Sequence, residues 1–282
     1  MKSAARLDEF ATFAYIRGNL SAAAAPPAPI TPTWGRFNMT DGKASTTAVP
    51  PGVTAALVLA DGTVFWGRGI GASGRTVGEV VFNTAITGYQ EIMTDPSYAG
   101  QIVTFTFPHI GNVGTNPEDV ETVVPAARGC VMRAEVTAPS NWRAAEGFDA
   151  WLRAQNLIGI TGVDTRRLTR RIREVGSPNG ALAHAPDGGL DVETLRREAT
   201  AWPGLEGMDL AKEVSCTQTY RWDGSTWSLG RGYGTLENPR FHVVAVDYGA
   251  KHNILRNLVA LGCRVTVVLS LIHISEPTRL RR

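Results

Sequence analysis

The side chains that could do chemistry in this sequence include a serine that follows a turn. Ser97 comes directly after Asp95-Pro96, and Pro96 disfavours the helical region for Asp95, as is typical of a turn. The run Gln101–Phe107 then alternates in the period of a strand. A hydroxyl on an ordered loop ahead of a strand can contact a ligand. A hydroxyl that only satisfies its own turn would give the same pattern.

The thiols and imidazoles show no spacing typical of a catalytic or metal site. Cys130, Cys216 and Cys263 are far apart, odd in number and without a CxxC pair, which predicts reduced thiols in a cytoplasmic protein. No glycine-rich elbow follows Cys263, so we do not expect it to be a nucleophile. The five histidines lack the spacing of metal ligands. We therefore predict no catalytic residue and no metal site.

A glycine-rich run imitates a nucleotide-binding motif. Gly69-Ile-Gly-Ala-Ser-Gly74 matches GxGxxG, which binds a pyrophosphate only when a helix follows the glycines. Here Thr76–Asn83 follows, and its β-branched residues indicate a strand. We expect turn glycines at this position.

A basic helix is the other candidate binding surface. Asp164 is an N-cap candidate for residues 165–175, where Leu168, Ile172 and Val175 fall on one face. The other faces carry Arg166, Arg167, Arg170, Arg171 and Arg173. This pattern raises the hypothesis of a nucleic-acid binder. No aromatic residues interleave and the formal net charge is only +2, so we favour a solvated or subunit-contacting face and no nucleic acid.

The elements that position these residues suggest two domains, for which 282 residues are sufficient. A hairpin around Asp61-Gly62 opens the first domain. Near the other end, a buried strand at Phe241–Val246, a helix at Lys251–Leu261 and a strand at Arg264–Val268 form a β-α-β unit, which predicts a parallel sheet. No apolar run approaches the roughly 18–20 residues that a membrane span needs, so we expect no membrane segment.

The run Gly78–Pro108, GEVVFNTAITGYQEIMTDPSYAGQIVTFTFP, resembles the signature region of the small, glutamine-using subunit of carbamoyl phosphate synthase. The similarity extends from about Thr54 to about Val268 and includes the motifs Gly204–Val214 and Phe241–Arg256 in the family's order. It implies an α/β fold: an N-terminal β/α domain of the swivelling β/β/α type, then the start of a flavodoxin-like class I glutamine amidotransferase domain.

The resemblance also implies a function. Ser97 would hold glutamine from the first domain, and Lys251, at a strand-to-helix turn, would help to position the catalytic groups. A turn hydroxyl and a solvated lysine remain the alternative interpretations. The family's small subunit hydrolyses L-glutamine and passes ammonia to the large subunit, which uses MgATP to make carbamoyl phosphate for arginine and pyrimidine synthesis. The family's catalytic cysteine, histidine and glutamate lie beyond the second amidotransferase strand, so we expect neither a catalytic triad nor a cofactor in the sequence as given.

These patterns divide the chain into five expected segments. They are a disordered or non-native extension at 1–52, the family's N-terminal domain at 53–215, a linker at 216–240, a truncated amidotransferase start at 241–268, and a non-native tail at 269–282 that resembles translated adapter sequence. A piece with two strands and one helix would leave a strand edge and an apolar sheet face uncovered. A non-catalytic module that only docks on the large subunit therefore stays open as a second function.

Overall fold

The computed structural model describes residues 49–270, all of which belong to one compact unit. The predicted extension up to residue 48 and the predicted tail from residue 271 onward lie outside the described residues. Within 49–270, strands and helices are mixed, as the predicted α/β class requires. None of the helices described is both long enough and apolar enough to cross a membrane.

Seven strands close into a barrel in the order β1-β2-β6-β5-β4-β3-β7. They are β1 Ala55–Leu59, β2 Val64–Gly71, β3 Gly74–Asn83, β4 Gln101–Phe105, β5 Gly129–Val131, β6 Ile158–Thr161 and β7 Asn179–His184. The β3–β4, β4–β5 and β5–β6 pairs are parallel, and the other pairs are antiparallel. Closure pairs every strand on both sides and leaves the barrel no free edge. The sequence predicted several of these strands but not their closure.

Alternation along β1 shows how the barrel is filled. Leu57 and Leu59 join a cluster to which all seven strands contribute, so this cluster is the barrel interior. Ala56 and Val58 point to the other face and pack with Leu195 of a covering helix. Because both faces are covered, every residue of β1 is buried.

Six helices surround or follow the barrel within the described range. They are α1 Tyr89–Thr94, α2 Phe148–Ala154, α3 Thr165–Val175, α4 Val192–Ala201, α5 Leu210–Val214 and α6 His252–Ala260. The N-cap prediction for α3 is confirmed, since the Asp164 side chain accepts a hydrogen bond from the Arg167 amide. Of the three apolar residues predicted on one face, Leu168 and Ile172 are buried, whereas Val175, the last residue of the helix, is 62% exposed.

A second sheet contains three strands in the order β11-β12-β8. The strands after the barrel are β8 Tyr220–Trp222, β9 Gly224–Ser228, β10 Gly232–Thr235, β11 Phe241–Asp247 and β12 Cys263–Leu269. The predicted β-α-β unit is confirmed: β11 and β12 are parallel, and α6 connects them. The segment 216–240, predicted as a linker, instead carries three strands. Its β8 runs antiparallel to β12 and satisfies the backbone groups on that edge.

The outer face of β11 corrects another prediction. The run Phe241–Val246 was expected to be buried, yet Val244 and Val246, which share the outer face, are more than half exposed, and so is Phe241 at the start of the strand. Val243 and Ala245, which point the other way, pack toward α6 with Leu255 and Val259. A single helix covers only one face of the sheet. The apolar pattern therefore predicted the strand correctly but not its burial.

Candidate functional site

The predicted ordered loop at Ser97 is a short 3₁₀ turn, Pro96–Tyr98, that lies just ahead of β4. The Asp95 backbone is extended, as expected for a residue before proline. Its carboxylate oxygen Oδ1 accepts a hydrogen bond from the Ser97 amide at 2.9 Å. The Ser97 side chain itself is exposed. The turn thus holds a hydroxyl at the surface in a defined backbone conformation.

Lys251 reaches the same turn from the opposite end of the chain. It lies between β11 and α6, and its Nζ donates to Asp95 Oδ2 at 3.2 Å, although the two residues are 156 positions apart. The lysine side chain is 42% exposed and the aspartate side chain only 12%. The structure therefore brings together the two predicted site residues, Ser97 and Lys251, on the two oxygens of one carboxylate. In the sequence, Asp95 is recognisable only as a turn residue.

The turn before Lys251 is built on a second carboxylate. Asp247 Oδ1 accepts from the amides of Gly249 at 2.9 Å and Ala250 at 2.8 Å, and Oδ2 accepts from the Cys216 amide at 2.6 Å. Burial alone would raise the pKa of Asp247. The hydrogen bonds from Ala250, Cys216 and Gly249 outweigh that effect and hold the pKa below its usual value. Asp247 is therefore ionised and fixed at neutral pH.

A glycine allows this turn to approach the Ser97 loop. Gly249 has φ +94°, and a Cβ there would lie 2.5 Å from Val214 Cγ2 and 3.2 Å from Pro96 Cβ. Both the backbone conformation and the close approach therefore require glycine. The contact with Pro96 connects the two halves of the candidate site directly.

The start of α6 is capped by the barrel rather than by its own residues. Lys251 makes no side-chain cap, whereas Glu121 Oε2 accepts from the Asn253 amide at 2.8 Å. The Glu121 carbonyl accepts from the His252 amide at 3.0 Å. Arg256, one turn further along α6, donates to the Val120 carbonyl at 3.0 Å. These bonds satisfy helix amides that would otherwise be unpaired.

A cleft of about 1100 Å³ opens beside these contacts. It is lined from the barrel side by residues that include Pro96, Thr122 and Arg128, and from the other side by residues that include Ser215, Cys216, Asp247 and His252. The ring of His252 packs against Trp222, with centroids 4.5 Å apart. Burial and the nearby Arg256 lower the pKa of His252, so its ring is neutral at pH 7.

The cysteines are poorly placed for nucleophilic chemistry. Burial raises the pKa of Cys216, and the adjacent Asp247 carboxylate raises it further, so this thiol is protonated at neutral pH. Cys130 and Cys263 are buried. Between residues 49 and 270, no group of three or more His, Cys, Asp or Glu side chains is placed to hold a metal ion.

Two other sequence hypotheses can be compared with the geometry. The GxGxxG run ends β2 and begins β3, so the glycines are followed by a strand rather than by a helix, as expected. In α3, Arg171 pairs with Asp61, and Arg167 lies over the Phe65 ring at 5.3 Å. These contacts occupy part of the basic face. The nucleic-acid hypothesis itself stays a prediction.

Comparisons with known proteins place this architecture in context. Residues 57–182 match the family model described as carbamoyl-phosphate synthase small chain, CPSase domain. The chain is 62% identical over 215 residues to the carbamoyl phosphate synthase small chain of Ruegeria pomeroyi, which covers 76% of this chain and 55% of that protein. The corresponding proteins of Bradyrhizobium diazoefficiens and Rhizobium meliloti are 58% and 59% identical, with the same shares covered.

The chain thus spans about half the length of the curated relatives that it matches. Among solved structures, an aminopeptidase from Aneurinibacillus sp. strain AM-1 aligns with 79% of this chain and 49% of that chain, with a TM-score of 0.29 and 8% identity. That similarity is too low to carry any argument about fold or function.

Proposed function

Since the chain belongs to the family of carbamoyl phosphate synthase small chains, we propose that it supplies one half of a glutaminase site. Residues 57–182, which include Ser97, match the family model, and the relatives bear the name of this subunit. The proposed half-site consists of the Ser97 turn on the barrel and the turn from Asp247 to Lys251 on the second sheet. The parallel β11-α6-β12 unit supports the further proposal that residues 241–268 begin a flavodoxin-like amidotransferase domain.

The observation that carries this proposal is the meeting of Ser97 and Lys251 at Asp95. Ser97 lies on a surface turn, and Lys251 lies on a distant strand-to-helix turn. The local sequence around either residue does not predict that both bind the same carboxylate. The shared carboxylate joins the backbone of the turn that carries the Ser97 hydroxyl to the Lys251 ammonium group. These groups can hydrogen-bond a polar substrate such as L-glutamine.

In the proposed reaction, water cleaves the side-chain amide of glutamine to give glutamate and ammonia. Ser97 would hold the substrate, and Lys251 would position the groups that break the amide bond. We propose that ammonia passes to the synthase large chain, which uses MgATP to make carbamoyl phosphate for arginine and pyrimidine synthesis in the cytoplasm. None of these steps assigns a cofactor to residues 49–270.

The test combines a full-length small chain that carries these residues with the large chain and measures glutamate release. We expect hydrolysis by the wild type and an increase of about tenfold in KM for glutamine in Ser97→Ala, because one substrate hydrogen bond to a polar group is lost. Thr169→Ala is a matched control, since its hydroxyl bonds only the Thr165 carbonyl within α3. An unchanged KM in Ser97→Ala would refute the assigned role of Ser97.

A second candidate function is a non-catalytic module that docks on the large chain. It is favoured by the position of the family match, because residues 57–182 lie almost entirely within the closed barrel. This alternative predicts that the chain as given binds the large chain in a pull-down but releases no glutamate. Glutamate release by the chain as given would contradict it.

A further inference from the structure

The Asp95 carboxylate is divided between two partners from distant parts of the chain. Oδ1 accepts from the Ser97 amide at 2.9 Å, and Oδ2 accepts from Lys251 Nζ at 3.2 Å. The side chain of Asp95 is only 12% exposed. A nearly buried carboxylate that receives a backbone amide on one oxygen and a cation on the other has little freedom to rotate.

The backbone around Asp95 is held as firmly as its side chain. The preceding residue, Thr94, is buried and accepts the Glu121 amide on its hydroxyl at 2.9 Å. The Thr94 carbonyl accepts from the Thr122 hydroxyl at 2.6 Å. On the other side, Pro96 restricts φ of the turn. Asp95 therefore has a fixed position, and it can hold Ser97 and Lys251 in place.

Lys251 depends on Asp95 for the position of its side chain but not for the position of its backbone. Glu121 accepts the first amides of α6, and Asp247 accepts two amides of the preceding turn. These bonds hold the main chain on both sides of Lys251. Loss of the Asp95 charge should therefore release the lysine ammonium while the surrounding turn remains folded.

We propose that Asp95 is a positioning residue for the glutamine site, where it sets the Ser97 hydroxyl and the Lys251 ammonium at a fixed separation. This inference rests on the proposed function, because it assigns Ser97 and Lys251 to that site. Asp95 acts through these two residues and not by contact with the substrate. Oδ1 binds the Ser97 amide and Oδ2 binds Lys251, so substitutions of Asp95 can separate the two interactions.

Asp95→Asn keeps a carbonyl oxygen that can accept the Ser97 amide but removes the charge that attracts Lys251. Asp95→Ala removes both interactions. Asp149→Asn is the matched control, since Asp149 Oδ1 accepts from the Gly71 amide at 2.6 Å and Oδ2 pairs with Arg153 at 2.9 Å. It therefore combines the same two kinds of bond on α2, outside the proposed site.

The experiment measures steady-state glutamine hydrolysis by the assembled synthase with a full-length small chain. Asp95→Asn should lower kcat/KM for glutamine about fivefold to tenfold, the range for a charge-assisted hydrogen bond that is partly exposed to solvent, and kcat should fall as well because Lys251 is assigned to position the catalytic groups. Asp95→Ala should lower kcat/KM further, because the Ser97 turn loosens as well. Asp149→Asn should leave both constants unchanged.

The decisive measurement is the double variant. If Asp95 acts through Lys251, Asp95→Asn combined with Lys251→Met should lower kcat/KM no more than Lys251→Met alone. Effects that multiply, or a change in thermal stability without a change in kcat/KM, would overturn the inference. A wild-type assembly that does not hydrolyse glutamine would refute the proposed function and the inference with it. An active wild type with multiplying effects would refute only the inference.

Discussion

The barrel and the second sheet differ in how their apolar surface is covered. In the barrel, all seven strands contribute to one interior cluster, and helices cover much of the outside. In the β11-β12-β8 sheet, α6 covers one face, and the large side chains of the other face are exposed. The barrel therefore has the features of an independent folding unit. The second sheet has too little buried area to be stable by itself, and it needs contacts from outside.

Besides the Asp95–Lys251 pair, several of those contacts come from one acidic segment of the barrel, residues 116–121. Glu121 caps α6. Glu118 binds the separate two-stranded β9-β10 sheet, where it accepts from the indole of Trp227 at 3.1 Å and, on its carbonyl, from the Tyr233 hydroxyl at 2.8 Å. Arg143 braces the segment by pairing with Glu118 at 3.0 Å and with Asp119 at 2.7 Å. The folded state of the second sheet and α6 therefore depends on a loop of the barrel.

The largest expected effect is the truncation of a core side chain between the barrel and its helices. Phe105 is fully buried in the cluster that β4 forms with α1 and α2, and Leu255 is fully buried between α6 and the second sheet. Phe105→Ala should lower the free energy of unfolding by about 3–5 kcal/mol and release both regions, whereas Leu255→Ala should cost about 2–5 kcal/mol and release only the second sheet. Hydrogen exchange measured for each residue tests this prediction. If Leu255→Ala increased exchange of the barrel amides as much as exchange of the second-sheet amides, the barrel would not be more independently stable than the second sheet.

Removal of the cap from the barrel loop should have the next largest effect. Glu121→Ala leaves the Asn253 amide without its acceptor and weakens the hold on Arg256, so we expect a loss of about 1–3 kcal/mol. The loss should be confined to residues 241–270 in limited proteolysis. Glu146→Ala provides the control, because the hydrogen bonds of Glu146 in the structure come only from its backbone amide and carbonyl. Equal cleavage in the barrel would contradict the proposed dependence.

Acid should loosen the second sheet through Asp247. Its pKa is lower in the folded chain than its ordinary value of 3.8. The carboxylate therefore stabilises the fold above that pH, and this contribution disappears as the pH falls through the lowered value. The protection of residues 241–250 against hydrogen exchange, taken relative to the intrinsic exchange rate at each pH, should fall below about pH 4. In Asp247→Asn, exchange should be faster at neutral pH and change less with acid.

Asp191 provides a matched carboxylate in the barrel. Hydrogen bonds from the Thr194 hydroxyl and amide also lower its pKa, but it caps α4. Asp191→Asn should therefore change the acid response of α4 and leave that of residues 241–250 unchanged. A change in both places would show that the two regions respond to acid as a single unit.

The smallest effect is expected on the arginine face of α3. Arg170→Ala with Arg171→Ala removes a partly exposed pair between Arg171 and Asp61, so stability should change by less than about 1 kcal/mol. Binding to a DNA duplex, measured at several salt concentrations, should be weak and equal in the variant and the wild type. A clear loss of salt-dependent binding in the variant would favour the nucleic-acid hypothesis instead.

Much of the local structure could be predicted from the sequence. The Asp61-Gly62 hairpin, the Asp164 cap and the β11-α6-β12 order all depend on signals within a few neighbouring residues. The Ser97 turn is of the same kind, since Asp95 and Pro96 set it locally. The resemblance added Lys251, which no local pattern distinguishes from a solvated lysine.

Tertiary structure decided the rest. Barrel closure, the pairing of β8 with β12, the exposure of β11, the capping of α6 by Glu121 and the contact between Asp95 and Lys251 all join or expose residues that are far apart in the chain. Hydrophobic period and turn chemistry report which way a residue points within its own element. They do not report which distant element will meet it, because that choice depends on how the faces of the whole chain are covered.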